Sequence, residues 1–163
     1  MPVIRHFHDE DWPALWPILE AEFRSGESHP HSPEIDEQAA YQAWIAAPQT
    51  SYVAEANGRL LGSYLIKPNQ PGLGAHVCNC GYIVATDARG KGVGTAMCRH
   101  SLAEARRLGY RAMQYNLVVA SNTRAKALWD RMGFATVGRL PGAFHHPRLG
   151  EVDAFVMYRR LTD

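Results

Sequence analysis

The stretch Arg89-Gly90-Lys91-Gly92-Val93-Gly94-Thr95 sets three glycines at alternate positions, directly ahead of a segment with helical spacing. With no side chains at Gly90, Gly92 and Gly94, an anion can reach the backbone N–H groups. The helix that follows turns the positive end of its dipole toward the same spot. The chemistry on offer is capture of a phosphate or pyrophosphate; a glycine-rich turn without a ligand is the plain alternative. A P-loop needs Ser or Thr after Gly90-Lys91, where Gly92 stands, and neither Gly90 nor Gly92 begins a Gly-x-Gly-x-x-Gly dinucleotide fingerprint. No Ser-His-Asp or Cys-His constellation accompanies the loop, so nothing points to a nucleophilic side chain.

The loop must be positioned by the elements around it. Val3 to Phe7 reads as a short strand. Asp9 or Asp11 then caps a helix through about Arg24, with Leu15, Ile18, Leu19 and Phe23 at helical spacing and Pro13 in its first turn. Ser25 to Pro33 is a loop, and Ser32-Pro33 starts a second helix carrying Ile35, Ala39, Tyr41 and Trp44 to about Pro48. Tyr52–Ala56 and Leu60–Ile66 are predicted strands about an Asn57-Gly58 turn. After a loop rich in Pro and Gly, His76 to Val84 is a third strand of this run, with Gly81 admitting a bulge or a close neighbour. A helix from about Gly92 to Leu108 stops at Gly109, Tyr110 to Val119 is a strand, and Asn122 caps a further helix that Gly133 ends. Two last strands, Phe134–Leu140 and Val152–Arg160, flank a loop containing Pro141, Gly142, His145, His146 and Pro147. This order predicts an α/β (α+β) chain, a mixed sheet with helices on its faces.

At 163 residues and 46% apolar content, the chain suits one domain over residues 1–163. Its 17 Lys and Arg against 16 Asp and Glu leave no field for nucleic acid or an anionic membrane. No apolar run approaches bilayer length and the N-terminus reaches charge too soon for a signal peptide, so a cytoplasmic protein is expected. Cys78, Cys80 and Cys98 are odd in number and lack Cys-x-x-Cys spacing, which argues for buried thiols and against a disulfide framework or thiolate metal site.

Arg89, Gly92 and Gly94 resemble the Arg/Gln-x-x-Gly-x-Gly signature of the GCN5-related N-acetyltransferases (GNAT). A second motif of that family, Asn-x-x-Ala-x-x-Leu-aromatic running to Gly-Phe, is matched by Asn122, Ala125, Leu128, Trp129, Gly133 and Phe134. The resemblance implies a mostly antiparallel central sheet of about seven strands with four helices, opened between its fourth and fifth strands. It implies acetyl-CoA as acetyl donor, with the pantetheine arm on the backbone of Tyr82, Ile83 and Val84. The pyrophosphate would lie on the amides of Arg89, Gly90, Lys91, Gly92, Val93, Gly94 and Thr95. Asn122, otherwise a plain helix cap, and Trp129 would also touch the cofactor. The backbone amide of Tyr82 or Val84 is the expected donor to the oxygen that gains charge when an amine attacks the thioester.

Two features depart from the family. Many members carry a Glu base on the fourth strand, but His76-Val77-Cys78-Asn79-Cys80-Gly81 has no carboxylate. Many carry a Tyr where Trp129 stands, and an indole N–H is no useful acid. Asn79 and Asn116 are expected either to orient the acceptor amine or to satisfy backbone groups freed where the strands part. Together they resemble a branch of the family that acetylates small cyclic amino acids such as proline analogues. By resemblance, His29, His31, His145 and His146 lie in the loops walling the acceptor side, where a histidine base would suit neutral pH; no metal is expected there. Glu151 and Asp153 near the last strand are further candidate bases, with solvation at the surface as the plain alternative. The functions in play are a small-molecule amine acetyltransferase, a protein N-terminal or lysine acetyltransferase, and a non-catalytic acyl-CoA sensor. A homodimer is expected only from the habit of related proteins.

Overall fold

The computed structural model describes residues 1–162. Seven strands form one sheet in the order β1-β2-β3-β4-β5-β7-β6. They are β1 (Val3–His6), β2 (Thr50–Ala56), β3 (Arg59–Pro68), β4 (Val77–Val84), β5 (Ala112–Val119), β6 (Ala135–His146) and β7 (Gly150–Arg160). Neighbours are antiparallel except β4 and β5, which run parallel and pair only at Val77 with Ala112 and Cys78 with Met113. Four helices cover the faces: α1 (Trp12–Ser25), α2 (Glu37–Tyr41), α3 (Val93–Arg107) and α4 (Thr123–Arg131). Among the described residues no helix is long and apolar enough to cross a membrane.

Alternation along the strands divides the core into two layers. Cys78, Cys80 and Tyr82 of β4 point toward α3 and α4, where Met97, Cys98, Leu102 and Trp129 pack. Ile83 points the other way, onto Leu15, Leu19 and Phe23 of α1 and Trp44. Those three α1 side chains recur every fourth residue and are fully buried, each stabilising the fold by roughly 1.5–3 kcal/mol. All three cysteines are free and buried.

The Asn57-Gly58 hairpin forms as its residues require, with positive φ at both (54° and 74°). The second helix begins later than its prolines suggest: Asp36, not Ser32, caps it, its Oδ1 accepting from Ala39 N–H at 2.8 Å. A wider, π-type turn over Gln42–Ala46 extends it and carries Trp44 into the core. The segment expected as a loop around Pro141 and Gly142 is instead part of β6, which continues to His146. Two bulges absorb the irregular residues, and pairing with β7 resumes at Phe144 with Val152.

Candidate active site

The β4–β5 opening is where the sheet can admit a ligand. Asn69 N–H to Val77 O and Ala85 N–H to Leu61 O, both 2.8 Å, fix the parity of the β3–β4 ladder. Odd-numbered residues of β4 bond to β3, so the N–H and C=O groups of Cys80, Tyr82 and Val84 face β5. Beyond Cys78 there is no strand pairing to receive them. Tyr82 and Val84, expected as amide donors, therefore sit on the open edge. Ile83 does not: its backbone is paired with Ser63 of β3 and the residue is 2% exposed.

At one end of the opening lies the glycine loop. Gly90 and Gly92 adopt left-handed φ of 75° and 83°, and a Cβ at either would meet nothing within 4 Å. Gly94 lies against Leu128 and Val84, where a Cβ would come within 3.4 Å of Leu128 Cδ2. None of the amides from Gly90 to Thr95 donates to another group among the described residues; the first to do so is Ala96, to Gly92 O at 3.0 Å. Arg89 points its guanidinium away from the loop to ion-pair with Glu22 of α1. Lys91 is exposed and Val93 is buried at the helix start.

A cavity of about 330 Å³ runs through the opening, lined among others by Asn79, Tyr82, Tyr115, Asn116, Asn122 and Trp129. Asn79 Nδ2 donates to Gln114 O at 2.9 Å, closing the carbonyl that the parting of the strands frees. Asn116 stands on the rim, donating to Asn69 Oδ1 at 2.7 Å and accepting from Gln114 Nε2 at 2.9 Å. Asn122 caps α4 through Ala125 N–H at 3.3 Å while also lining the cavity. The Trp129 ring covers Tyr82 and Tyr115, with centroids 4.9 and 4.8 Å away. Beneath it the Tyr82 hydroxyl meets Ser101 Oγ at 2.6 Å and the Tyr115 hydroxyl at 2.9 Å. Burial pushes both phenols well above their ordinary pKa, so both stay protonated. A tyrosine is missing at position 129, but two other phenols line the same cavity.

The far wall comes from the loop after α1 and from Trp44. His29 and His31 both line it. The Trp44 indole lies against Gly81, whose lack of a side chain leaves room for the ring at 3.4 Å, and donates to Ser63 Oγ at 2.9 Å. His145 and His146, expected on the acceptor side, do not line this cavity. Lying on β6 rather than in a loop, His145 is exposed, while buried His146 closes the β6–β7 turn by accepting from Arg148 and Leu149 N–H at 3.1 and 3.2 Å. The turn's contribution is indirect: Pro147 packs by Gly26, and Arg148 pairs with Glu27 at 2.7 Å. Asp153 accepts from Gly142 N–H at 2.9 Å and pairs with Arg139, so it braces a bulge of β6.

Sequence reasoning missed Glu22 and Ser28. Ser28 Oγ donates to Glu22 Oε1 and lies 2.7 Å from His29 Nδ1, while Glu22 also holds Arg89. Burial lowers the His29 pKa to about 4; Glu22 opposes the shift, His31 adds to it, and the Tyr82 backbone opposes it.

The family model described as Acetyltransferase (GNAT) family matches residues 12–134. The chain belongs to the GNAT acetyltransferase family. Among solved structures, a GCN5-related N-acetyltransferase from Kribbella flavida superposes with a TM-score of 0.92 at 42% identity, covering 98% of this chain and 97% of that one. The GNAT fold is shared with yncA from Salmonella typhimurium, solved with its cofactor acetyl-CoA, at a TM-score of 0.86 and 21% identity over 100% of this chain and 95% of that one. N-acetyltransferase aca1 of Schizosaccharomyces pombe is 38% identical over 98 residues, 60% of this GNAT chain. The match spans about half of that relative's length, 47%.

Proposed function

We propose that the chain is an acetyl-CoA-dependent N-acetyltransferase that acetylates the amine of a small molecule by direct attack on the thioester. The observation that carries this reading is the row of undonated amides from Gly90 to Thr95 at one end of an opened sheet edge. The residues fit the donor. The space left clear at Gly90 and Gly92 suits a pyrophosphate at the positive end of α3, and the free edge of β4 suits the amide groups of a pantetheine arm.

A thioester laid along β4 meets the amides of Tyr82 and Val84, one of which would donate to the oxygen as it gains charge. Holding amine and thioester in one cavity supplies much of the remaining acceleration. The small-molecule reading is supported by the size of the cavity, about 330 Å³, and by its polar uncharged fittings Asn79 and Asn116. The test is thiol release from acetyl-CoA across a panel of free amino acids, simple amines and peptides. Turnover of small amines with peptides silent is expected. Acetylation of peptides alone would replace the small-molecule reading, and acetyl-CoA binding with no turnover of any acceptor would make the chain a sensor.

A further inference from the structure

We infer that the acceptor is an amine that carries a carboxylate, as a free amino acid does, and that the Lys67 ammonium holds this carboxylate at the mouth of the cavity. The inference rests on the acetyl-transfer reading above and narrows its acceptor from small amines in general to those that bring an anion with them.

Among the described residues that line the cavity, Lys67 alone has a permanent charge, and none is Asp or Glu. The two histidines of the wall are kept uncharged at neutral pH by burial, which lowers the His29 pKa to about 4 and lowers that of His31, where the charge of Lys67 adds to the effect. Their neighbours are already engaged: His29 is held between Ser28 and the Tyr82 backbone, and Glu22, to which Ser28 donates, is paired with Arg89. Lys67 itself makes no ion pair among the described residues. A lysine on an open surface is satisfied by water alone. At the rim of a cavity with no anion of its own, its charge is left for a ligand.

Register places that charge. Lys67 of β3 pairs with Asn79 of β4, so their side chains rise from the same face of the sheet with Cβ atoms about 5 Å apart. Asn79 donates to Gln114 O across the start of the opening and Asn116 donates to Asn69 on the rim, so the groups beside Lys67 are uncharged and already partnered. Asn79 and Tyr82 stand about 10 Å apart along β4, a span that thioester carbon, amine, carboxylate and ammonium fill in that order. The same field sorts acceptors by charge. A simple alkylamine or a polyamine arrives as a cation, is repelled by Lys67 and finds no carboxylate in the cavity. An amino acid supplies the missing anion and meets Lys67 through a charge-assisted hydrogen bond.

The test compares each free amino acid that wild type acetylates with its carboxamide, which keeps the amine and the side chain and removes the negative charge. Wild type should prefer the amino acid in kcat/KM by roughly 10- to 100-fold. Lys67→Gln should abolish that preference through the amino acid's KM, Lys67→Glu should reverse it, and Lys67→Arg should keep most of it. Acetyl-CoA affinity by calorimetry and the melting temperature should stay at wild-type values in all three, since Lys67 is exposed. Equal use of amino acid and carboxamide by wild type overturns the inference. So does acetylation of peptides or alkylamines alone, or a preference for the amino acid that survives in Lys67→Gln and Lys67→Glu. Failure of the transferase reading has a different signature, wild type releasing no thiol with any amine. Calorimetric titration of the CoA-loaded protein with the free amino acids then decides the subsite: binding that Lys67→Glu removes keeps it, while no binding, or binding indifferent to that substitution, overturns it.

Discussion

Asn79 Nδ2 donates to Gln114 O at 2.9 Å across the point where β4 and β5 part. The bond stands in for the next rung of the ladder and lets the opening begin without an orphaned carbonyl. Removing the donor should destabilise the fold by about 1 kcal/mol in Asn79→Ala, and by more in Asn79→Asp, because a carboxylate cannot donate to a carbonyl. Urea unfolding at neutral pH measures both. Equal stability in all three proteins would show that the bridge does not hold the opening.

Gly92 is a position where shape and ligand make the same demand. Its φ of 83° strains any side chain, yet a Cβ there meets nothing within 4 Å. Gly92→Val should stay folded at a cost of about 1–2 kcal/mol and lose acetyl-CoA affinity by roughly tenfold or more. Calorimetric titration with acetyl-CoA checks this, and unchanged affinity in the folded variant would count against the site.

Gly81 serves packing instead. A Cβ would touch the Trp44 ring at 3.4 Å, and any larger group must move an indole that donates to Ser63. Gly81→Val should therefore destabilise by about 1–3 kcal/mol and shift tryptophan fluorescence toward that of an exposed indole. Wild-type stability and spectrum would mean that the ring does not lie on the strand.

The histidine loop gives stability a pH dependence of known sign. The His29 pKa is lowered from 6.5 to about 4 by burial, so between those values the unfolded chain binds a proton that the folded chain refuses. Stability should rise as pH goes from about 4 to 6.5, and part of that slope should vanish in His29→Asn. His31 and His100 are lowered in the same direction by burial and will retain the rest. Glu104 acts in a separate, more acidic window: Arg107 holds it down to about 2, so its contribution is lost as pH falls from 4.5 toward that value. Unfolding curves recorded at several pH values separate the two windows.

What could be read from the sequence was what neighbours along the chain decide. Asn57-Gly58 made its hairpin and Asn122 its cap, each within a few residues. Misreadings arose where distant pairing overrode local punctuation. Pro141 and Gly142 looked like a loop, but β7 drew both sides of them into one strand and let bulges take up the difference. The parity that turns Tyr82 and Val84 outward and Ile83 inward depends on β3, and no motif encodes it. The group of Glu22, Ser28, His29 and Arg89 draws on α1, the loop after it and the glycine loop. No spacing announces it, because only the placement of α1 beside the turn that follows β4 brings those residues together.

Amide NMR during titration of the labelled protein with acetyl-CoA tests most directly whether the head of α3 and the open edge of β4 hold the donor. The largest shifts should fall on Gly90 to Thr95 and on Cys80, Tyr82 and Val84, with the odd-numbered amides of β4 moving less. Saturable binding that leaves those amides in place, or no binding at millimolar acetyl-CoA, would contradict the account.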